Sequence, residues 1–181
     1  AVPAEERIAV FDADGTLWCE QPVPVEADFL VRRLAGMAEA DPHLRTRQPW
    51  KAAYEQDNGW FGDAITEHYA GDETKARVLL GGIAGSYAGI SVEEFQTAAD
   101  AFLRKAQHPE LGRGYLQTAY APMVELLGYL EANGFSNHMV SGSGADFMRT
   151  ITQEVFGIPP ERVIGSTTAV EYHGDDAGGT I

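Results

Sequence analysis

The chain has 181 residues, 44% hydrophobic and 22% charged, with a formal net charge of -14, the balance of an ordinary soluble globular protein long enough for one substantial domain or two small ones. Such acidity disfavours nucleic-acid backbones and anionic membranes, both polyanions, so neither is an expected partner. The longest uncharged stretch, 78–92, is too short and glycine-rich to span a bilayer.

The first ordered run, Arg7 to Phe11, is short and apolar and ends at Asp12, the pattern of a buried strand with a loop after it. From Val25 to about Ala40, residues Phe29, Leu30, Leu34 and Met37 recur at helical spacing, and the blocks 50–70 and 72–83 also read as helices. Ser91 with Glu94 three residues on forms a capping box, opening a helix on which Phe95, Phe102 and Leu103 share a face. The link HPELGRGY leads to Pro122, suited to a first helical position, and to a helix ending at Gly134. FSNHMV reads as a strand, and SGSG passes the chain into one helix, ADFMRTITQEVF, closed by Gly157 and a proline pair. RVIGSTTAVEYHG reads as one strand or a hairpin arm, and Asp175 and Asp176 as part of a hairpin turn among glycines.

A strand, a long helical excursion, then alternating helix and strand define an α/β fold: a parallel sheet flanked by helices, with an all-helical insertion after its first strand. Sites in such sheets form at the carboxyl ends of strands. The loops after Phe11 and Val140 lie at such ends.

Asp12 and Asp14 stand two residues apart at the mouth of the first strand, so both carboxylates can face one small volume. One can attack an electrophile while the other gives a proton to the leaving group and later takes one from water. Gly15 lets a ligand approach the backbone closely. Attack on phosphorus requires that the repulsion between carboxylate and phosphate be screened, which a bridging Mg2+ achieves. The competing reading of DADG is a plain turn. A calcium EF-hand loop fails, because Leu17 and Val23 stand where glycine and glutamate are needed.

Ser141 and the glycines around it lie between a strand and a helix N-terminus, offering a hydroxyl and backbone N–H groups to an anion. The competing reading is a helix N-cap by Ser141 or Ser143. A dinucleotide fingerprint is incomplete at Phe147, and no GxSxG serine-hydrolase motif is present. Trp18 and Glu20 are substrate-side candidates by position. Trp50, Tyr54, Trp60, Phe61 and Tyr69 fit core packing better than a pocket lining.

VFDADGTLW resembles motif I of the haloacid dehalogenase superfamily, an apolar strand followed by DxDGT, and MVSGSG is similar to its motif II. The aspartate at position 14 points to the phosphatase and phosphomutase branch. The resemblance implies a Rossmann-like core and a Mg2+-dependent phosphatase that hydrolyses a small-molecule phosphomonoester through an aspartyl-phosphate. Asp12 would be the nucleophile and Asp14 the general acid/base. Ser141 and Gly142, with Gly15 and Thr16, would surround the phosphate, and Mg2+ would sit on the Asp12 side chain and the Asp14 backbone carbonyl. The insertion is similar to the C1 cap of phosphoserine-phosphatase-like members, giving a core of residues 1–21 and 115–181 and a cap of residues 22–114.

Two further family motifs, a basic residue and an acidic strand-end pair, find no match. Lys51, Lys75 and Lys105 all precede motif II, and Arg149 and Arg162 after it lie outside suitable loops. The expectation is a chain that stops before those motifs, with an incomplete sheet edge open to self-association. The alternative function is a catalytically silent module that binds a ligand or a protein. Cys19, the one cysteine, favours a reducing, cytoplasmic compartment, while a start without methionine or leader leaves export open.

Overall fold

The computed structural model describes residues 2–169, 173–175 and 178–180. It divides into two compact units, residues 1–26 with 91–181 and residues 27–90.

The first unit is built on a parallel sheet of β1 (Ile8–Phe11), β2 (Ser136–Gly144) and β3 (Val163–Ser166), in the order β1-β2-β3. Registers Phe11↔Met139 and Met139↔Val163 align the three strands, and the β2–β3 pairing shifts between Val140 and Gly144. Because side chains alternate, Ala9, Phe11, Asn137, Met139 and Val163 share one face and Ile8, Val10, His138, Val140 and Ile164 the other. Met139 and Val163 are buried, whereas Ile8 and Val10 are each 59% exposed and Ile164 57%. A parallel sheet ordinarily has both faces covered. Among the described residues, this one carries apolar side chains open to solvent on its second face.

On the buried face lie α6 (Ala121–Ala132) and α7 (Ala145–Met148), followed by α8 (Thr152–Phe156). Leu127 on α6 is buried, and its carbonyl accepts a 2.9 Å bond from the Asn137 amide, which satisfies a polar group inside the core. Phe147, Met148 and Ile151 fill the space beside β3, each such side chain contributing about 1.5–3 kcal/mol of burial. The helix expected over 145–156 is therefore two short ones, since Ile151 departs from helical geometry (φ -129°). At its end Gly157 takes the left-handed conformation (φ 68°) and stops α8, as its position suggested.

The expected capping box opens α5 (Val92–Lys105): Glu94 N–H donates to Ser91 Oγ at 3.1 Å and Ser91 N–H to the Glu94 carboxylate at 2.9 Å. Phe95, Ala99 and Leu103 form its buried stripe. This helix packs on α7 and on the turn Tyr115–Thr118, and Arg104 reaches Glu154 of α8 at 2.6 Å. Those contacts group residues 91–114 with the sheet, whereas the sequence reading drew the insertion as 22–114. At the far end β4 (His173–Asp175) pairs antiparallel with β5 (Gly178–Thr180), so Asp175 lies on a hairpin arm, and Asp176 lies outside the described residues.

The second unit is helical. It takes up α1 (Val25–Ala40) from Ala27 onward, then α2 (Trp50–Glu55), α3 (Asn58–Tyr69) and α4 (Thr74–Tyr87). The single helix expected over 50–70 breaks because Gln56 is left-handed (φ 56°) and Asp57 caps a new start, accepting from Trp60 N–H at 3.1 Å. Gly82 fits tightly on Pro49, where a Cβ would come within 2.3 Å of the ring, and Arg33 donates twice to the Ser86 carbonyl at 2.6 and 2.9 Å. The aromatic residues expected to pack here divide: Tyr69 is 85% and Tyr54 40% exposed, whereas Trp50, Trp60 and Phe61 are half-buried. Alanines 52, 53 and 64 are fully buried. Among the described residues no helix is long and apolar enough to cross a membrane.

Candidate active site

Beyond Phe11 the chain turns within seven residues, and three of them anchor it: Ala13 and Leu17 are 0% and Trp18 2% exposed. The Ala13 carbonyl accepts from Thr16 N–H at 3.2 Å, Leu17 N–H at 2.8 Å and Trp18 N–H at 3.3 Å, and Gly15 N–H closes the loop on the Trp18 carbonyl at 2.9 Å. Gly15 sits at φ 71°, a left-handed position in which any Cβ would also meet the Glu20 carboxyl at 2.9 Å.

The two aspartates come out of this loop in different states. Asp12 is exposed, and its Oδ1 accepts the Ala13 N–H at 2.7 Å. Asp14 is half-buried, with both oxygens engaged: Oδ1 accepts the Trp18 indole N–H at 2.7 Å, and Oδ2 accepts the Ser143 hydroxyl at 2.8 Å. The second of these bonds joins the end of β1 to the end of β2.

That second strand end, Ser141 to Gly144, continues β2 beyond Val140, where the expected strand stops. Ser143 N–H donates to Ser141 Oγ at 3.3 Å, which leaves the Ser141 hydroxyl proton for an anion. Ser166 Oγ donates to the Gly142 carbonyl at 2.7 Å, and Gly144 N–H donates to the Glu26 carboxylate at 2.5 Å. Gly144 is the N-cap residue of α7 and no side chain caps it, so the expected serine N-cap is replaced by a bond from Ser143 to Asp14. Burial pushes the Glu26 carboxyl above the ordinary carboxylate range; the Gly144 N–H opposes that rise and the negative charge of Asp14 adds to it.

A family model described as haloacid dehalogenase-like hydrolase matches residues 9–180. The chain belongs to that family. No curated protein matches this haloacid dehalogenase-like hydrolase. A solved protein of unknown function from Bordetella pertussis Tohama I is 20% identical with a TM-score of 0.56, the match covering 96% of this chain and 64% of that one. A phosphoserine phosphohydrolase-like protein from Francisella tularensis subsp. tularensis SCHU S4 is 16% identical with a TM-score of 0.40, covering 97% and 63%. The chain thus spans less than two thirds of the length of either solved protein.

The fold of this chain brings Asp12, Asp14, Gly15, Thr16 and the Ser141 loop to the carboxyl end of one parallel sheet. Trp18, expected on the substrate side, is instead packed edge-on against Phe156 at 6.0 Å with its N–H turned to Asp14. Glu20 is half-buried, its carboxyl against Gly15. Arg149 is committed away from the site, donating to the carbonyls of Pro160 at 3.1 Å and Val163 at 3.2 Å. Sequence reasoning missed Glu26 and Gly165. Glu26 looked like an ordinary first-turn acid, and only the fold shows that Gly165 lies where a Cβ would come within 2.4 Å of the Ser143 carbonyl.

Proposed function

We propose that this haloacid dehalogenase-like hydrolase carries a Mg2+-dependent phosphomonoesterase site acting on a small-molecule substrate. The observation that supports it most is the contrast between the two aspartates: an exposed carboxylate beside one held by two donors. Asp12 attacks phosphorus, forming the Asp–O–P bond as the bond from phosphorus to the substrate alcohol breaks, and Asp14 delivers its proton to that departing oxygen. Asp14 then takes a proton from water, whose oxygen attacks phosphorus, releases inorganic phosphate and restores Asp12. The Ser141 hydroxyl and the Gly142 N–H hold phosphate oxygens, with Gly15 and Thr16 lining the approach.

The oxygen donors here suit Mg2+, which is usually held by one or two carboxylates together with substrate phosphate rather than by a full protein cage. Among the described residues, no group of three or more His, Cys, Asp or Glu side chains could by itself hold a metal ion. The Asp12 carboxylate and the Asp14 backbone carbonyl would hold the ion, since the Asp14 carboxylate is already engaged. Bound there, it would offset the repulsion between Asp12 and a phosphate dianion.

The commitment of Arg149 favours a second reading, a silent ligand- or protein-binding module, because that guanidinium does not answer the site's negative charge. Thermal unfolding with Mg2+ and beryllofluoride, a phosphoryl mimic, separates the two. A stabilisation seen in the parent chain and lost in Asp12→Asn supports the phosphatase. Equal behaviour of both chains sinks it.

A further inference from the structure

Four groups form a continuous hydrogen-bonded chain from one strand end to the other. Ser143 N–H donates to Ser141 Oγ at 3.3 Å, Ser143 Oγ donates to Asp14 Oδ2 at 2.8 Å, and the Trp18 indole donates to Asp14 Oδ1 at 2.7 Å. Trp18 is 2% exposed and locked by its backbone bond to the Ala13 carbonyl and its edge contact with Phe156. Its donor is therefore fixed in space before any ligand arrives. Ser143 is fixed from behind by the backbone of Gly165, which passes so close that a Cβ there would fall 2.4 Å from the Ser143 carbonyl.

We propose that Trp18 and Ser143 are positioning residues which hold the Asp14 carboxylate in one orientation, and that Ser143 ties that orientation to the anion-binding hydroxyl of Ser141. This deepens the phosphatase reading and rests on it for the role of Asp14. An indole N–H can only donate, so Oδ1 is held as an acceptor throughout. The Ser143 hydroxyl donates to Oδ2, so both carboxylate oxygens are held by placed donors before any ligand arrives.

Two measurements test the arrangement. In the proton–nitrogen NMR spectrum of the full chain, the indole resonance that disappears in Trp18→Phe reports the bond to Asp14. It should move upfield in Asp14→Asn, shift in Ser143→Ala and hold its place in Ser143→Thr. With p-nitrophenyl phosphate and Mg2+, Ser143→Ala should lower kcat about 10- to 100-fold, the loss expected for one hydrogen bond to a charged group, with KM nearly unchanged and recovery in Ser143→Thr. Ser141→Ala should instead raise KM. An indole resonance indifferent to Asp14→Asn or Ser143→Ala overturns the proposal, as does a Ser143→Ala variant that changes KM alone. If the parent chain shows no turnover, the phosphatase reading fails by itself, and the resonance still decides whether the two residues hold Asp14.

Discussion

Between Asp12 and Trp18 the chain folds on itself, with the Ala13 carbonyl gathering three N–H groups and Gly15 closing on Trp18. Between Ser141 and Gly144 the bonds come from distant parts of the chain: Asp14 takes the Ser143 hydroxyl, Ser166 donates to the Gly142 carbonyl, and Glu26 takes the Gly144 N–H. The first loop is thus shaped mainly by bonds within itself, with Leu17 taking the Tyr120 N–H at 2.9 Å and Asp14 the Ser143 hydroxyl from farther along the chain. The second is bonded to the loop after β1, to Glu26 and to β3. Chemistry placed on the first loop should therefore be removable without harm to the fold, and damage to the second should spread into it.

The sharpest break between the two is Asp12→Asn. Because Asp12 is exposed and accepts one backbone N–H, its loss should leave the unfolding free energy within about 0.5 kcal/mol of the parent. Phosphate release should nevertheless fall by about a thousandfold or more, as when a nucleophile is removed. Parallel activity and urea-denaturation measurements check both halves; a large stability loss with modest activity loss would reverse the assignment of the loops.

Gly165→Ala should do the opposite. Its Cβ would meet the Ser143 carbonyl at 2.4 Å, Met148 Cε at 2.7 Å and the Ala145 nitrogen at 2.8 Å, and two of these are backbone atoms that cannot swing away. Overpacking of this kind costs about 1–3 kcal/mol. Gly142→Ala, with nothing within 4 Å of the new methyl, should stay within about 0.5 kcal/mol. Urea midpoints of the two variants make the contrast direct, and equal midpoints would mean that β3 does not brace the second loop.

What the sequence disclosed follows the same division. DADGT spells out the first loop because its glycine, its tight turn and its two carboxylates are neighbours in the chain. The capping box at Ser91 and the stop at Gly157 were legible for the same reason, and the parallel sheet through the alternation of helix and strand. Ser143 offers only the competing reading of a helix cap, because its partner Asp14 is 129 residues away. Glu26 was silent because a first-turn glutamate is common, and nothing local says that it reaches Gly144. The break at Gln56 was missed because a run of good helix formers conceals a single left-handed residue, although Asp57 and Asn58 carry the capping chemistry for a restart.

The two faces of the sheet repeat the contrast on a larger scale. The buried face is sealed by α6 and α7, whereas Ile8, Val10, Val140 and Ile164 leave an apolar surface on the other. Self-association was expected at the sheet edge, and this face extends that expectation inward from β1. Val10→Lys should reduce concentration-dependent association in sedimentation velocity while leaving the melting temperature nearly unchanged, since Val10 is already 59% exposed. Association unaffected by the lysine would remove β1 from the contact.

The mildest effect is expected from Glu26→Gln, and its sign follows from linkage. Burial raises the Glu26 carboxyl above its ordinary value of 4.5, so between that value and the raised one the folded state holds more protons than the unfolded state. The contribution of this group to stability is therefore complete below about 4.5 and declines as pH climbs through the folded-state pKa. A glutamine cannot ionise, yet its carbonyl can still accept the Gly144 N–H. The variant should consequently lose less stability than the parent as pH rises from 4 toward neutrality, the gap widening with pH. Part of the shift comes from the charge of Asp14, so in an Asp14→Asn background the gap should narrow. A gap that stays the same would mean that burial alone sets the Glu26 carboxyl, and that the second loop is coupled to the first through the Ser143 hydroxyl and not through charge.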